Sequence, residues 1–331
     1  MEDKYIFPNK EQKIITYSKN VFIPVTNYCR NNCLYCGFNR GNRYLLELDE
    51  IEKLLDKAKK RNAKEVLLCC GERPEQSREF MGKIKEIGYD SHLEYLIDIC
   101  KLALDKNLLP HTNTGLLDYN ELKKLKRYNA SMGLMLETTA KVKSHQNSPG
   151  KKPSKRIKMI KEAGKLQIPF TTGILLGIGE SKQDRINSLR KIDEINQRYG
   201  HIQEVIIQRY EPNKYSKLKD TASYEELLDN IRLSNEILKD ISIQSPPNLV
   251  RNLDKLVKAG IDDLGGISEV TSDYINPKKS WPDLKKIKLE LDEFRVKERL
   301  PIYPRYIKEK WFSDELEETI KNLSDEDGYA K

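Results

Sequence analysis

Short apolar runs rich in β-branched residues alternate along this chain with longer stretches whose apolar positions recur every three or four residues. The run VFIPVT (21–26) reads as a strand, and the segment 48–60, apolar at 48, 51, 54, 55 and 58, reads as an amphipathic helix. Further strands are predicted at 65–70, 108–113, 131–137, 169–178, 204–210, 241–244 and 261–266. Helices are predicted around 93–106, 118–127, 154–165, 181–198, 224–239 and 248–259. Strands alternating with helices imply right-handed crossovers and a parallel sheet, and eight such units can close on themselves. The expected fold is therefore α/β, a TIM-type (β/α)8 barrel. Because the last two strands are short, an open six-stranded partial barrel is the alternative. No internal repeat or Pro/Gly/Ser-rich linker divides the chain, so the expected organisation is an N-terminal extension (1–20), one barrel (21–266) and a charged C-terminal extension (267–331).

In a parallel barrel the loops at the carboxyl ends of the strands build the active site. The predicted ends are polar: Thr26 and Asn27, then Gly71, Glu72 and Arg73, then His111 and Asn113, then Glu137 and Thr138. Gly179 and Glu180, Gln208 and Arg209, Gln244, and Asp262 and Asp263 complete the ring. Caps that start the next helices account for some of these. A polar set at every strand predicts a solvated, functional mouth.

Composition narrows the classes. With 38% hydrophobic and 33% charged residues, the chain can fill a core beneath a charged surface. Its longest apolar runs, such as Gly173 to Ile178, fall far short of the about 20 residues that span a bilayer, so no membrane association is expected. The first residues, MEDKYIFPNK, lack the apolar stretch of a secretory signal. A net charge of +8 invites a nucleic-acid partner. Lys and Arg alternate with Asp and Glu along the predicted helices, however, as on a solvated face, and no nucleic acid is expected. The six cysteines do not form a secreted disulfide framework, and the expected location is cytoplasmic.

The strongest chemical signal is C-x-x-x-C-x-x-C at Cys29, Cys33 and Cys36, directly after the first strand. Three thiolates so close can wrap a loop around one face of a cluster, and they suit iron–sulfur clusters and zinc alike. Structural zinc usually takes four ligands, and no fourth Cys or His lies near this loop. A 4Fe-4S cluster on these three residues would leave one iron open. The rival of a different class is a zinc-binding, nucleic-acid-associated module. Cys69, Cys70 and Cys100 fall within apolar patterns and read as small buried hydrophobes.

The cysteine spacing, with the aromatic Tyr35 before the third cysteine, resembles the radical S-adenosylmethionine (SAM) superfamily. The resemblance continues through GERPE (71–75), PHTNTGLL (110–117), ASMGLMLET (130–138), PFTTGILLGIGE (169–180), YGHIQEVIIQ (199–208), SPPNL (245–249) and DDLGGISEVTSDYINP (262–277). Together, over roughly 20–285, these motifs are similar to the ring-closing subunits of deazaflavin synthases. The resemblance implies a carbon–nitrogen lyase of coenzyme F-420 biosynthesis. Its substrate would be 5-amino-5-(4-hydroxybenzyl)-6-(D-ribitylimino)-5,6-dihydrouracil, closed to 7,8-didemethyl-8-hydroxy-5-deazariboflavin by hydrogen abstraction with loss of ammonia. A companion radical SAM subunit would supply that adduct, and an electron donor would reduce the cluster. The alternatives within the superfamily are the tyrosine-cleaving companion itself and a biotin-synthase-like enzyme.

The resemblance also implies roles for single residues. The open iron would take S-adenosyl-L-methionine through its amine and carboxylate. Tyr35 would lie near the adenine or anchor its loop. The backbone after Gly71 would take the methionine amine, with Glu72 contributing, capping the next helix or pairing with Arg73. Glu137 would hold the ribose or amine. Arg156 would grip the methionine carboxylate, or belong to a solvated basic run. Gly177 would let backbone approach the adenine, or serve a tight turn. His111 would polarise or deprotonate substrate, or support its loop. The segment 209–221 is only loosely similar to the family, and Cys69 and Cys70 replace ordinary apolar residues.

Overall fold

The computed structural model describes residues 13–218, 221–250 and 252–331, so the first 12 residues of the expected N-terminal extension lie outside it. The strands are β1 (Ile14–Thr26), β2 (Glu65–Cys70), β3 (Leu109–Asn113), β4 (Ser131–Gly133), β5 (Phe170–Leu176), β6 (Ile202–Arg209), β7 (Ser242–Gln244), β8 (Asp263–Ser268) and β9 (Arg295–Glu298). They run β2-β3-β4-β5-β6-β7-β8-β1, and β1 pairs back to β2, so eight parallel strands close into a barrel with β9 beyond β1. The six-stranded alternative is excluded, since Gln244 of β7 pairs with Asp263 and β8 pairs with β1 from Thr16 to Asn20.

Expected helices form at Leu48–Lys60, His92–Asp105, Tyr119–Lys126, Pro153–Lys165, Lys182–Tyr199, Tyr224–Ile237 and Leu253–Ala259. Side chains of Ser91, Asp118, Ser181, Ser223 and Asn252 accept backbone N–H groups at their starts, which satisfies donors that the first helical turn leaves free. A further helix, Arg78–Glu86, starts at Ser77 and buries Phe80 and Ile84.

β1 is longer than expected. Residues 14–20, read from the sequence as part of an extension, are its first half, pairing with β8 and β9, while Asn20 to Thr26 pair with β2. Its inward positions there are Thr16, Ser18 and Asn20, so a polar barrel floor hid the apolar signal of a strand. β4 is shorter than expected, leaving the sheet after Gly133 and returning only in a bridge between Glu137 and Ile174. Asp262 and Asp263 stand at the amino end of β8, not in the mouth.

The C-terminal segment closes the amino end of the barrel. The Pro301 carbonyl accepts from Ser131 Oγ at 2.6 Å and from Gln203 Nε2 at 2.9 Å. Leu300, Ile302, Tyr306, Leu316 and Ile320 form a second core with Leu109 and Ala130. Among the described residues no helix is long and apolar enough to cross a membrane.

Candidate active site

A cavity of about 380 Å³ runs down the barrel axis from the loops at the carboxyl ends of the strands to Arg299 and Pro301. Cys29, Cys33 and Cys36 line its mouth together with Tyr35, Gly71, Glu72, Glu137 and Arg156. His111 and Gln244 lie deeper. Residues drawn from six separate segments of the sequence thus meet in one space.

The cysteine loop follows β1 and is clamped from two sides. Arg30 N–H donates to the Glu72 carbonyl at 2.9 Å, Leu34 N–H to the Ser144 carbonyl at 3.0 Å, and Gly150 N–H to Asn31 Oδ1 at 2.9 Å. The thiols themselves receive donors: Asn31 N–H at 3.4 Å and Glu72 N–H at 3.2 Å to Cys29 Sγ, and Ser148 Oγ at 3.2 Å to Cys33 Sγ. Burial raises the Cys29 thiol above its ordinary range, and the two N–H groups oppose that. Donors aimed at sulfur are what a metal-bound thiolate needs. All three thiols are free of disulfides. Among the described residues no three His, Cys, Asp or Glu side chains are gathered tightly enough to hold a metal ion. A cluster of several irons spreads its thiolates wider than one ion does. Free thiols facing a common cavity, with N–H donors on Cys29 and a hydroxyl donor on Cys33, fit such a cluster.

Glu72 differs from both alternatives raised for it. It neither caps the next helix nor pairs with Arg73; its carboxylate accepts from Arg30 Nε at 2.9 Å, from Leu116 N–H at 3.2 Å and from Arg156 Nη1 at 3.4 Å. Against burial, which alone would raise it, Arg156 and Arg30 hold this carboxyl below its ordinary range. Arg73 grips Glu121 with two bonds of 2.6 Å. Arg156 is 3% exposed, so the reading as a solvated basic residue fails. Its Nε donates to the Met135 carbonyl and its Nη1 to the Gly150 carbonyl at 3.3 Å, which leaves Nη2 for the cavity. Glu137 takes a left-handed conformation (φ 66°), and its buried carboxylate pairs with Lys151. Lys151 and Arg156 together overcome burial to hold that carboxyl below its usual range.

Tyr35 packs against His145 and Tyr210, and its hydroxyl meets His145 Nε2 at 2.9 Å, so it lines the cavity while also anchoring the loop. Gly177 does not line the cavity. Its φ is 86°, and a Cβ there would lie 2.5 Å from the Ala222 nitrogen, so the turn and the neighbouring backbone require glycine. Glu180 completes that turn by accepting from the N–H groups of Gly177 and Ile178 at 2.9 and 2.8 Å.

His111 sits in the middle of β3, below the mouth. Its Nδ1 meets Ser131 Oγ at 2.7 Å; because that hydroxyl gives its proton to Pro301, His111 is the Nδ1–H donor and Nε2 is a bare acceptor. Burial, with the charge of Arg299, pushes its pKa down to about 3. Such an imidazole accepts a hydrogen bond but is a poor base. Cys69, expected only to pack, lines the cavity, with its thiol pushed up to about 12 by burial. Sequence reasoning missed Arg30, Ser148, Lys151 and Arg299. Arg30 and Ser148 lie in irregular loops, Lys151 ends the short 3-10 turn Pro149–Lys151, and Arg299 lies in the segment read as a C-terminal extension.

The family model of the Radical SAM superfamily matches residues 23–192. The chain is similar to 7,8-didemethyl-8-hydroxy-5-deazariboflavin synthase of Archaeoglobus fulgidus, 51% identical over 96% of this chain and 99% of that protein. It is similar to the proteins of the same name from Methanosarcina barkeri (49%, covering 96% and 99%) and Methanopyrus kandleri (41%, covering 96% and 100%). In fold it is similar to methylornithine synthase, with a TM-score of 0.67, 20% identity and 86% and 84% of the two chains covered. The FeFe-hydrogenase maturase HydG from Carboxydothermus hydrogenoformans gives 0.70 at 18% identity, covering 95% and 74%.

Proposed function

The chain belongs to the Radical SAM superfamily and, within it, to the 7,8-didemethyl-8-hydroxy-5-deazariboflavin synthases, and from that premise we propose how its residues divide the reaction. The enzyme closes the deazaflavin ring. Cys29, Cys33 and Cys36 hold a 4Fe-4S cluster, and the cavity beside them takes S-adenosyl-L-methionine. When bound and reduced, that pair would supply the radical chemistry that removes hydrogen from the substrate.

The observation that carries this reading is the convergence of three disulfide-free thiols, Glu137 and Arg156 on one cavity mouth. Arg156 offers its remaining nitrogen, Nη2, to the methionine carboxylate as a charge-assisted hydrogen bond. Glu137 accepts from the ribose or the amine. Tyr35 packs beside the adenine. Below them Phe22, Leu67, Leu175 and Ile206 form an apolar band in the cavity where the two substrate rings lie against each other. The chain's main contribution is to hold the acceptor carbon close and exclude water from the radical.

The substrate, a 4-hydroxybenzyl adduct of ribityl-diaminouracil, comes from a companion radical SAM subunit, and a separate donor provides electrons. Under anaerobic conditions, the adduct, S-adenosylmethionine and a reductant should yield 5′-deoxyadenosine, methionine, ammonia and a fluorescent deazaflavin. Tyrosine and the diaminouracil without the companion should yield none. Tyrosine cleavage by this chain alone would assign it to the companion's reaction instead.

A further inference from the structure

Read upward along the barrel interior, the inward side chains change character in the same order on several strands. β1 presents Asn20 and then Phe22, β2 presents Glu65 and then Leu67, and β6 presents Glu204 and then Ile206, all lining the cavity. Above these come the cysteines. The cavity therefore has a polar floor, an apolar middle and the radical chemistry at its mouth. A substrate whose reacting rings occupy the middle must send any remaining substituent to the floor.

The floor has hydrogen-bonding groups without partners. Asn20 is 2% exposed and Gln244 4%, and neither Asn20 Oδ1 nor Gln244 Oε1 has a hydrogen-bond partner. Leaving buried carbonyl oxygens unpaired costs about 1–3 kcal/mol each, so such groups usually await a ligand or water. Consecutive glycines in β8 make room for both amides. A Cβ at Gly265 would lie 2.1 Å from Gln244 Nε2, and one at Gly266 would lie 2.0 Å from Asn20 Nδ2. His111 adds the bare acceptor Nε2. Glu65 is the register partner of Asn20 and stands beside it.

We propose that Asn20, Glu65, His111 and Gln244 form a subsite for the polyhydroxylated ribityl tail of the substrate. This rests on the deazariboflavin-forming reading, because that reaction defines a ligand with two rings, joined through one carbon before closure and fused through a third ring after it, and a neutral polyol tail. A chain of hydroxyls donates and accepts along its length, as amide side chains do, and it carries no charge. The floor is matched to a neutral guest: Asp263 is held by Arg299 through bonds of 2.6 and 2.9 Å, and burial raises the Glu65 and Glu204 carboxyls toward their neutral forms. A phosphate or carboxylate would meet the acidic side chains of Glu65 and Glu204 and one already committed guanidinium.

Equilibrium dialysis of the anaerobic holoenzyme against two ligands tests this. One is 7,8-didemethyl-8-hydroxy-5-deazariboflavin, and the other is the same ring system with methyl in place of ribityl. The wild type should bind the methyl compound about 100-fold more weakly, the loss of a few hydrogen bonds. Asn20→Ala and Gln244→Ala should each weaken the ribityl compound roughly tenfold and leave the methyl compound unchanged, at wild-type iron content. Equal binding of the two ligands by the wild type would overturn the subsite without using any variant, so a variant that fails to fold does not protect the idea. Variants that weaken both ligands alike would also overturn it. If the adduct is still turned over in those cases, the ring-closing function stands and only the subsite falls. Binding of neither ligand, with no turnover, would remove both.

Discussion

The backbone N–H of Glu72 donates to Cys29 Sγ at 3.2 Å, and it reaches that sulfur because the preceding residue has no side chain. A Cβ at Gly71 would lie 2.0 Å from the Tyr28 carbonyl oxygen and 2.7 Å from Cys29 Cβ. The end of β2 and the cysteine loop are packed backbone to backbone. Gly71→Ala must push them apart, at a cost of about 1–3 kcal/mol for overpacking. Its thermal midpoint and its iron content after anaerobic reconstitution should both fall below wild type. Unchanged iron would mean that this contact does not shape the cluster loop.

Replacing any of Cys29, Cys33 or Cys36 by Ala should abolish iron binding. Cys100→Ala should preserve it, because Cys100 is fully buried against Thr112 and Asn129, away from the cavity. Iron analysis and electron paramagnetic resonance of the reduced proteins compare all four. Iron loss in Cys100→Ala, or retained iron in any of the other three, would reassign the ligands.

Arg156→Ala should weaken S-adenosylmethionine binding roughly tenfold to a hundredfold, the worth of one charge-assisted hydrogen bond. The cluster should persist, since Glu72 keeps Arg30 and the Leu116 N–H as partners. Isothermal titration under nitrogen reads the affinity. Arg156→Lys should recover only part of it, because an ammonium cannot also keep the Met135 and Gly150 contacts that fix Nη2 in place.

Much of this barrel was legible because its helix-facing residues are apolar and its turns are capped. β2 and the helix Leu48–Lys60 coincide with their predicted bounds. What was hidden follows from the cavity. Thr16, Ser18 and Asn20 face a polar floor, so the first half of β1 carries no inward apolar alternation. Arg299 acts on the barrel from far along the chain, paired with Asp263 and Glu204. No local spacing reveals such a partner. The cysteine motif was legible because its three thiols lie on one short loop, whereas Arg30, Ser148 and Lys151 act by being folded against it.

The floor also makes stability depend on pH. Burial, opposed by Arg299 and reinforced by Asp263, raises the Glu204 carboxyl from 4.5 to about 8. The folded state therefore keeps a proton that the unfolded state releases. The stabilisation is complete below about pH 4.5 and drains away as pH rises toward 8, at up to about 1.4 kcal/mol per pH unit. Glu204→Gln stays neutral and should flatten this slope in denaturant titrations between pH 5 and 8. Glu298 and Asp262, raised by burial to about 7 and about 6, will leave a residual slope. An identical slope in the variant would mean that Glu204 is ionised in the native protein.

Arg299 supplies the last test, because it is the cation that the floor's acidic groups share. It binds Asp263 through two nitrogens at 2.6 and 2.9 Å, reaches Glu204 at 3.4 Å and lies 4.4 Å from the Tyr303 ring. Arg299→Met keeps similar bulk but leaves Asp263 buried and uncompensated, which costs about 3–5 kcal/mol for a broken buried pair. Lost packing alone would be independent of pH. Lost charge compensation would not, because buried carboxylates without their cation hold protons more tightly than the unfolded chain does. Such groups stabilise the fold at low pH and lose that contribution as pH rises. The destabilisation of Arg299→Met should therefore be small near pH 5 and large near pH 8, read as the difference in unfolding free energy from wild type. A difference constant across that range would show that Arg299 serves the barrel by filling space and not by balancing its charge.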